Sequence, residues 1–265
     1  MLEILRPNPA PGRLRYAVFD FDGTLSLLRA GWQTVMADLM VETLRATPRA
    51  EAEAQLRART AEPVLGLAGR PTLVQMQWLV DEVRRRGGTP LPAEAYKHEY
   101  LVRLGERIRH RAKLEAGRMP PEQFRVLGAL EFMAALHANG VTCTIASGTD
   151  EAEVREEAVL LGVAPFVAEI RGAREDGSDA KRMVIERVTA EYRLVAGELA
   201  VFGDGRAEME YARAAGGLAI GVASTEDERV GVDKQKRSLL IAAGADVIVP
   251  DFKPPALLTY LWPTG

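Results

Sequence analysis

Hydrophobic residues along this chain follow two different periods, and the change between them divides the sequence into parts. Ala17 to Phe19 is a short apolar run that ends in two acids and a Gly-Thr pair, which predicts a buried strand and a turn. From about Ala30 to Ala116, apolar residues recur with the 3.6-residue period of helices. Beyond Pro121, short β-rich runs alternate with helical stretches. This alternation predicts a parallel sheet that is covered by helices on both faces.

Proline and glycine residues punctuate both helical regions and set the expected bounds of the elements. The middle of the chain predicts helices over Ala30–Ala46, Arg49–Thr60, Leu73–Arg86 and Ala93–Ala116. The later part predicts helices over Glu122–Asn139, Glu151–Leu161, Asp179–Ala196, Glu208–Ala215 and Asp233–Ala243. Between them it predicts strands over Val141–Ala146, Phe166–Ile170, Leu199–Phe202, Leu218–Val222 and Val247–Val249. We therefore expect a core domain of residues 1–26 and 122–265, with a helical domain of residues 27–121 inserted after the first strand.

Composition narrows the class of protein. The chain has 265 residues and a net charge of −3, with basic and acidic residues interleaved along the helices, so no nucleic-acid partner is expected. No run approaches the roughly 18 apolar residues of a membrane span. A single cysteine excludes an intrachain disulfide and favours a reducing compartment. We expect a cytoplasmic protein without a membrane partner, and the sequence does not predict its oligomeric state.

Polar residues follow three of the predicted strands, at the edge of the sheet where ligands bind in such folds. Asp20 and Asp22 come after the first strand, Ser147-Gly148-Thr149 after the second, and Asp204 after the strand that ends at Phe202, with Glu208 opening the next helix. Taken alone, Asp-Phe-Asp-Gly is as compatible with solvated carboxylates in a turn as with a metal site. The recurrence of polar groups after strands favours a Mg²⁺ and phosphate site.

Four short motifs, in this order, resemble those of the haloacid dehalogenase (HAD) superfamily. They are DFDGTL at residues 20–25, TIASG at 144–148, Lys181, and GDGRAE at 203–208. The likeness is to the branch of phosphoglycolate phosphatases and β-phosphoglucomutases, which carries a helical cap after the first motif. It implies an α/β fold with a Rossmann-like core and a central parallel sheet. Asp22 favours phosphoryl chemistry over carbon–halogen cleavage, because the dehalogenases of the superfamily lack this second acid.

The resemblance also implies roles for the acids. Asp20 would be the nucleophile that forms an aspartyl-phosphate, and Asp22 would be the general acid and base. Mg²⁺ would be held by the Asp20 side chain, the Asp22 carbonyl and Asp204. Glu208 stands where many relatives have Asp, and would reach the metal directly or through water.

The same resemblance implies how a phosphoryl group would be held. Ser147 and the N–H of Gly148 would bind its oxygens, and Lys181 would screen its charge. The alternative for Lys181 is a solvated helix start, which its pattern favours less than the phosphate site.

The substrate depends on the helical domain, because the core would contact only phosphate and metal. The loop Gly66 to Thr72 resembles the cap loop that meets the active site in relatives, and Arg70 could bind a second anionic group. An exposed arginine in a turn between helices is an equal alternative. We expect a Mg²⁺-dependent phosphatase acting on a small phosphorylated metabolite. A phosphomutase and a non-catalytic binding protein remain alternatives.

Overall fold

The computed structural model of the chain describes residues 2–173, 178–253 and 255–263. The strands are β1 Glu3–Ile4, β2 Tyr16–Phe19, β3 Thr142–Asp150, β4 Glu169–Ala173, β5 Leu199–Gly203, β6 Leu218–Val222 and β7 Val247–Val249. The helices are α1 Trp32–Arg45, α2 Glu53–Gly66, α3 Thr72–Arg85, α4 Ala93–Arg107, α5 His110–Glu115, α6 Ala129–Ala138, α7 Glu151–Leu160, α8 Ala180–Glu191, α9 Arg206–Ala214, α10 Lys234–Ala242 and α11 Pro255–Leu261.

The strands of the described residues form one seven-stranded sheet in the order β1-β7-β6-β5-β2-β3-β4. All neighbouring pairs are parallel except β1 and β7, which are antiparallel. This confirms the expected α/β fold. β2 lies in the middle, between β5 and β3, and all four of its residues are buried. A central position explains why its sequence is an unbroken apolar run and does not alternate with polar residues.

Helices cover both faces of the sheet and create a hydrophobic core on each. One face buries the aromatic side chains of Phe19, Phe132, Phe202 and Phe252, and Phe19 stacks on Phe202 at 4.4 Å between ring centres. The other face buries smaller aliphatic residues against α8, α9 and α10. Each aromatic pair adds about 0.5–1.5 kcal/mol beyond the area that it buries. The two cores fix the ends of the strands, where the polar residues lie.

Helices α1 to α4, here called the cap, have a hydrophobic cluster of their own. Met36, Met40 and Leu44 recur at helical spacing along α1 and are fully buried against the other three helices. The predicted second helix is shifted, because α2 begins at Glu53 and continues through Pro63 to Gly66. Pro63 and Val64 lie on its buried face, so packing maintains the helix beyond the proline.

The predictions of two long helices are wrong, because each helix is interrupted in the structure. Ala93–Ala116 is divided into α4 and α5 at Ile108, where the chain turns back to the core and the ring of His110 stacks on Phe124 at 4.8 Å. Glu122–Asn139 contains a short 3₁₀ turn and then α6, which begins after Gly128. Gly128 has a φ of 74°, and a Cβ there would lie 2.6 Å from the Lys253 nitrogen, so the backbone bends where the sequence pattern looks helical.

The remaining differences lie near the ends of elements. β3 continues to Asp150, so Ser147 to Thr149 are extended strand and not the expected turn. β4 begins at Glu169, because Ala164–Phe166 forms a 3₁₀ turn. Two elements are not predicted by the sequence pattern: β1, a strand of two residues that covers the edge of β7, and α11. Such short elements carry too little periodicity to be recognised.

Candidate active site

The carboxyl ends of β2, β3 and β5 meet at one edge of the sheet and bring the predicted site residues together. Asp20 follows β2 directly, and its N–H donates to the carbonyl of Phe202 on β5 at 2.8 Å. Phe21 is fully buried in the aromatic core, so it points away from the acids on either side. The alternation expected for Asp20, Phe21 and Asp22 is therefore present.

Lys181 is buried between two acids of this edge. Its Nζ lies 2.9 Å from Asp20 Oδ1 and also donates to Glu208 Oε1. The side chains of Asp20, Lys181 and Glu208 are 5%, 3% and 1% exposed, which excludes a solvated helix start for the lysine. One ammonium thus holds two carboxylates, one directly after β2 and one on α9.

Burial shifts the pKa of these groups strongly. Burial raises the pKa of the Asp20 carboxyl well above its ordinary value, although the positive charge of Lys181 opposes this. Burial lowers the pKa of Lys181, but the carboxylates of Asp20 and Glu208 outweigh it, and the net shift is upward. The lysine is therefore a permanent cation, and a further positive charge beside Asp20 would favour the ionised form of its carboxyl.

Asp22 is bound on one side and nearly free on the other. Thr149 Oγ1 donates to Asp22 Oδ2 at 2.7 Å, whereas Oδ1 lies 3.6 Å from Arg29 Nε and accepts no hydrogen bond. Burial raises the pKa of Asp22, and the nearby Arg29 guanidinium opposes the shift. A carboxyl with a raised pKa is better suited than an ordinary carboxylate to hold and release a proton.

Ser147 and Gly148 line the same small cavity as the two acids. The cavity has a volume of about 80 Å³ and is also lined by Lys181 and Asp204. Ser147 Oγ is 3.1 Å from the N–H of Thr149, from which it accepts. A Cβ at residue 148 would lie 2.9 Å from the carbonyl oxygen of Arg70, so glycine is required where the cap approaches the strand.

Asp204 lies at the end of β5, but a lysine that the sequence analysis did not select binds it. Lys236 Nζ is 2.7 Å from Asp204 Oδ2 and 2.8 Å from Glu226 Oε1. A Cβ at Gly23, whose φ is 73°, would overlap Asp204 Oδ2. The glycine of the first motif thus gives the carboxylate its place beside the turn.

These residues fit a divalent cation. No three Asp, Glu, His or Cys side chains of the described part of the chain form a metal cluster by themselves. The set implied by the resemblance needs only two carboxylates, Asp20 and Asp204, and the carbonyl of Asp22. Two buried oxygens nearby, Glu208 Oε2 and Asp22 Oδ1, accept no hydrogen bond. Hard oxygen donors with unused capacity suit Mg²⁺, which retains several waters.

The cap loop Gly66 to Thr72 meets this edge. A Cβ at Gly69 would lie 2.5 Å from Glu208 Oε1, so the loop lies directly on the buried acid. Arg70 is not left free for an anion, because its guanidinium lies 3.4 Å from Asp179 Oδ2 and 5.1 Å from the centre of the Tyr211 ring. Arg70 therefore joins the cap to the core.

Three charged residues of the site were missed in the sequence because nothing in their local pattern marks them. Arg29 is 6% exposed and lies 2.8 Å from the buried Glu157 and 2.7 Å from Glu153. Lys97, on α4, lies 2.7 Å from Asp150 of the core and also lines the cavity. The third is Lys236. Each resembles an ordinary surface cation until the folded chain brings its acidic partners next to it.

Solved structures with this fold include proteins from several bacteria. A predicted phosphoglycolate phosphatase from Haemophilus somnus is 16% identical, with a TM-score of 0.59 and coverage of 93% of this chain and 98% of that one. An HAD-like protein of unknown function from Agrobacterium tumefaciens is 17% identical, with a TM-score of 0.60 and coverage of 93% and 98%. A candidate β-phosphoglucomutase from Bacteroides vulgatus is 15% identical, with a TM-score of 0.57 and coverage of 95% and 91%.

At these identities the likeness to solved structures shows the fold alone. A search of curated proteins found no match. Helices long and apolar enough to cross a membrane do not occur in the described ranges. The profile of haloacid dehalogenase-like hydrolases matches residues 14–216, which include all four motifs and the cap. The chain is therefore an enzyme of the haloacid dehalogenase-like hydrolase family.

Proposed function

We propose that this enzyme is a Mg²⁺-dependent phosphatase that hydrolyses a small phosphomonoester through an aspartyl-phosphate. The observation that carries the proposal is the buried Asp20, fixed by Lys181 at 2.9 Å, with Asp22, two residues away, lining the same cavity. A nucleophile, a proton carrier and a phosphate-binding strand end therefore line one cavity.

In the first half of the reaction, Asp20 attacks the phosphorus atom and the bond to the ester oxygen breaks. The leaving alkoxide takes a proton from Asp22, whose pKa is raised by burial in spite of the opposing Arg29 charge. A carboxylate is a weak nucleophile, so catalysis depends mainly on positioning and on neutralising charge.

In the second half, water attacks the phosphorus of the aspartyl-phosphate and gives its proton to Asp22. The bond to Asp20 breaks, and inorganic phosphate leaves. Thr149 donates to Asp22 Oδ2 at 2.7 Å and keeps the carboxyl oriented for both proton transfers.

The phosphoryl group would be held by Ser147, the N–H of Gly148 and Lys181, which lie around the same cavity. Mg²⁺ would be held by Asp20, the carbonyl of Asp22 and Asp204. Glu208 would reach the metal directly or through water. When bound, the metal ion supplies charge that favours the ionised Asp20 and offsets the charge of the phosphate.

The cap would select the substrate. We propose the domain bounds expected from the sequence, with residues 27–121 closing over the core of residues 1–26 and 122–265. Arg70 would hold the cap closed through its ion pair with Asp179. We therefore assign Arg70 to closure of the cap and regard its contact with a substrate anion as a secondary role. The sequence of the cap contains no pattern that marks a phosphomutase, so we rank that reaction second.

The proposal is tested with a panel of phosphomonoesters and purified protein, in Mg²⁺ and in EDTA. We expect phosphate release with at least one small phosphomonoester in Mg²⁺ and its loss in EDTA. Phosphate release without any isomerised sugar phosphate supports hydrolysis. Absence of release across the panel, or equal release in EDTA, would contradict the proposal.

A further inference from the structure

The segment between β6 and α10, residues 223–233, has no role in the proposed reaction, yet it is tied to the catalytic turn. Ser224 Oγ donates to the carbonyl of Gly23 at 2.6 Å and is buried. Its Glu226 accepts from Gln33 of the cap at 3.3 Å. A guanidinium nitrogen of Arg229 donates to the Arg125 carbonyl at 3.0 Å, where the chain returns from the cap. The segment thus connects the first motif with both cap connections.

Lys236, at the start of α10, is a cation that contacts this segment through Glu226. Its side chain is 12% exposed, and its ammonium lies between Asp204 at 2.7 Å and Glu226 at 2.8 Å. The helix start is fixed, because Asp233 accepts from the N–H groups of Gln235 at 2.8 Å and Lys236 at 3.0 Å. The lysine is therefore held at the metal-binding edge by its backbone as well as by its charge.

This ammonium is a permanent positive charge. Burial lowers the pKa of Lys236, but Asp204 and Glu226 outweigh that effect and raise it. Three acids of the first and fourth motifs already face a cation: Asp20 and Glu208 face Lys181, and Asp22 faces Arg29. Lys236 is a third cation, and it binds the acid expected to be a metal ligand.

The ammonium also has room to shift. A cavity of about 390 Å³ lies beside Lys236 and is bounded by Trp32 and Gln33 of the cap and by Glu226. Asp204 lines both this cavity and the catalytic one. A lysine side chain can therefore withdraw toward Glu226 without a change in the fold of the segment.

We propose that Lys236 sets the affinity of the divalent-cation site by competing for Asp204, and that Glu226 draws the ammonium away from it. This inference rests on the metal site of the proposed function. Two cations on one carboxylate repel each other, so the cost of bringing a divalent ion to Asp204 includes displacement of the ammonium. Loss of the lysine should tighten metal binding, whereas loss of Glu226 should weaken it.

The test measures Mn²⁺ binding directly, from the EPR signal of free Mn²⁺, with Mg²⁺ as competitor. We expect Lys236→Gln to lower the Kd for Mn²⁺ by about tenfold and Glu226→Gln to raise it several-fold. Lys234→Gln and Glu228→Gln are the matched controls, because both side chains are exposed on the same helix and segment and should leave the Kd unchanged. The gain should vanish when Lys236→Gln is combined with Asp204→Asn.

Stability gives a second readout that does not depend on turnover. Without metal, Lys236→Gln leaves two acids facing each other, so its Tm should fall below that of the wild type. Excess Mg²⁺ should then raise the Tm of this variant more than it raises the wild-type Tm. Circular dichroism checks that each variant is folded.

An unchanged or higher Kd in Lys236→Gln would overturn the inference, since a lysine that merely orients Asp204 predicts weaker binding when it is removed. The two proposals fail differently. If the wild type hydrolyses phosphomonoesters only with Mg²⁺ but Lys236→Gln has an unchanged Kd, the inference alone is wrong. If neither protein binds Mn²⁺ and no phosphate is released, both are wrong.

Discussion

Two buried acids of this protein, Glu82 in the cap and Asp20 in the core, differ in how their charge is balanced. Burial opposes ionisation of Glu82, but hydrogen bonds from Arg85, Arg59 and Arg86 outweigh it and lower its pKa to about 2. Burial raises the pKa of Asp20 well above its ordinary value, and Lys181, whose charge opposes this shift, is shared with Glu208.

The two acids show how a carboxylate that stabilises the fold differs from one that is suited to catalysis. Three guanidinium groups around Glu82 form an ion cluster on α2 and α3, and Arg85 lies 2.8 Å from Glu82 Oε2. Such a cluster stabilises the ionised carboxylate of Glu82. The hydrogen bonds leave this carboxylate little capacity to react with another group. The charge of Asp20 is incompletely balanced. This is the environment expected of a carboxylate that would bind a cation and then attack phosphorus.

The largest expected effect is on turnover. Asp20→Asn should reduce phosphate release by about 10⁴-fold or more, because the amide cannot form the aspartyl-phosphate. In EDTA its Tm should equal or exceed that of the wild type, since a buried carboxyl with a raised pKa is replaced by a neutral group. Asp227→Asn, at an exposed aspartate, is the control for both measurements. A variant that keeps wild-type turnover would exclude Asp20 as the nucleophile.

The second effect is on the pH dependence of stability. Burial raises the pKa of Glu157 to about 7, against the charge of Arg29. A raised pKa means that the native state holds the proton more tightly, so the wild type should lose stability as pH rises from about 4.5 through 7. Relative to Glu157→Gln, this loss should be about 2 kcal/mol in the free energy of unfolding.

Urea unfolding at pH 5, 6, 7 and 8 measures the difference. Glu156→Gln removes the neighbouring acid, which is 69% exposed, and should leave the pH profile of the wild type intact. Parallel profiles for the wild type and Glu157→Gln would show that Glu157 is already ionised at pH 5.

The smallest effect is in the cap. Glu82→Gln should lower the free energy of unfolding by about 1–2 kcal/mol at pH 7 without changing turnover, because two of its arginine partners are half exposed. The lowered pKa predicts that this contribution is present above about 4.5 and is lost as pH falls toward 2. Asp81→Asn, an adjacent exposed acid, should change stability little. A loss of turnover in Glu82→Gln would contradict the distinction between the two acids.

Much of the fold could be predicted because many strands and helices are marked by the residues within and next to them. The apolar run before Asp20 predicted the central strand, and the bounds of β6 and β7 agree with the structure residue for residue. Asp233 was expected to begin a helix, and its side chain caps α10. Ile108 and Gly128 were misjudged, because periodicity alone does not show where a helix must bend to meet another part of the chain.

The sequence by itself determined the residue types of the chemistry: two acids after one strand, a Ser-Gly pair after another, and a third acid after a third. Only the tertiary structure decided how these charges are balanced. Arg29, Lys97 and Lys236 reach the site from other elements, and each looks like a surface cation in its own segment. The physical reason is that burial and the distance between charges set their pKa and affinity, and neither quantity exists until the chain is folded.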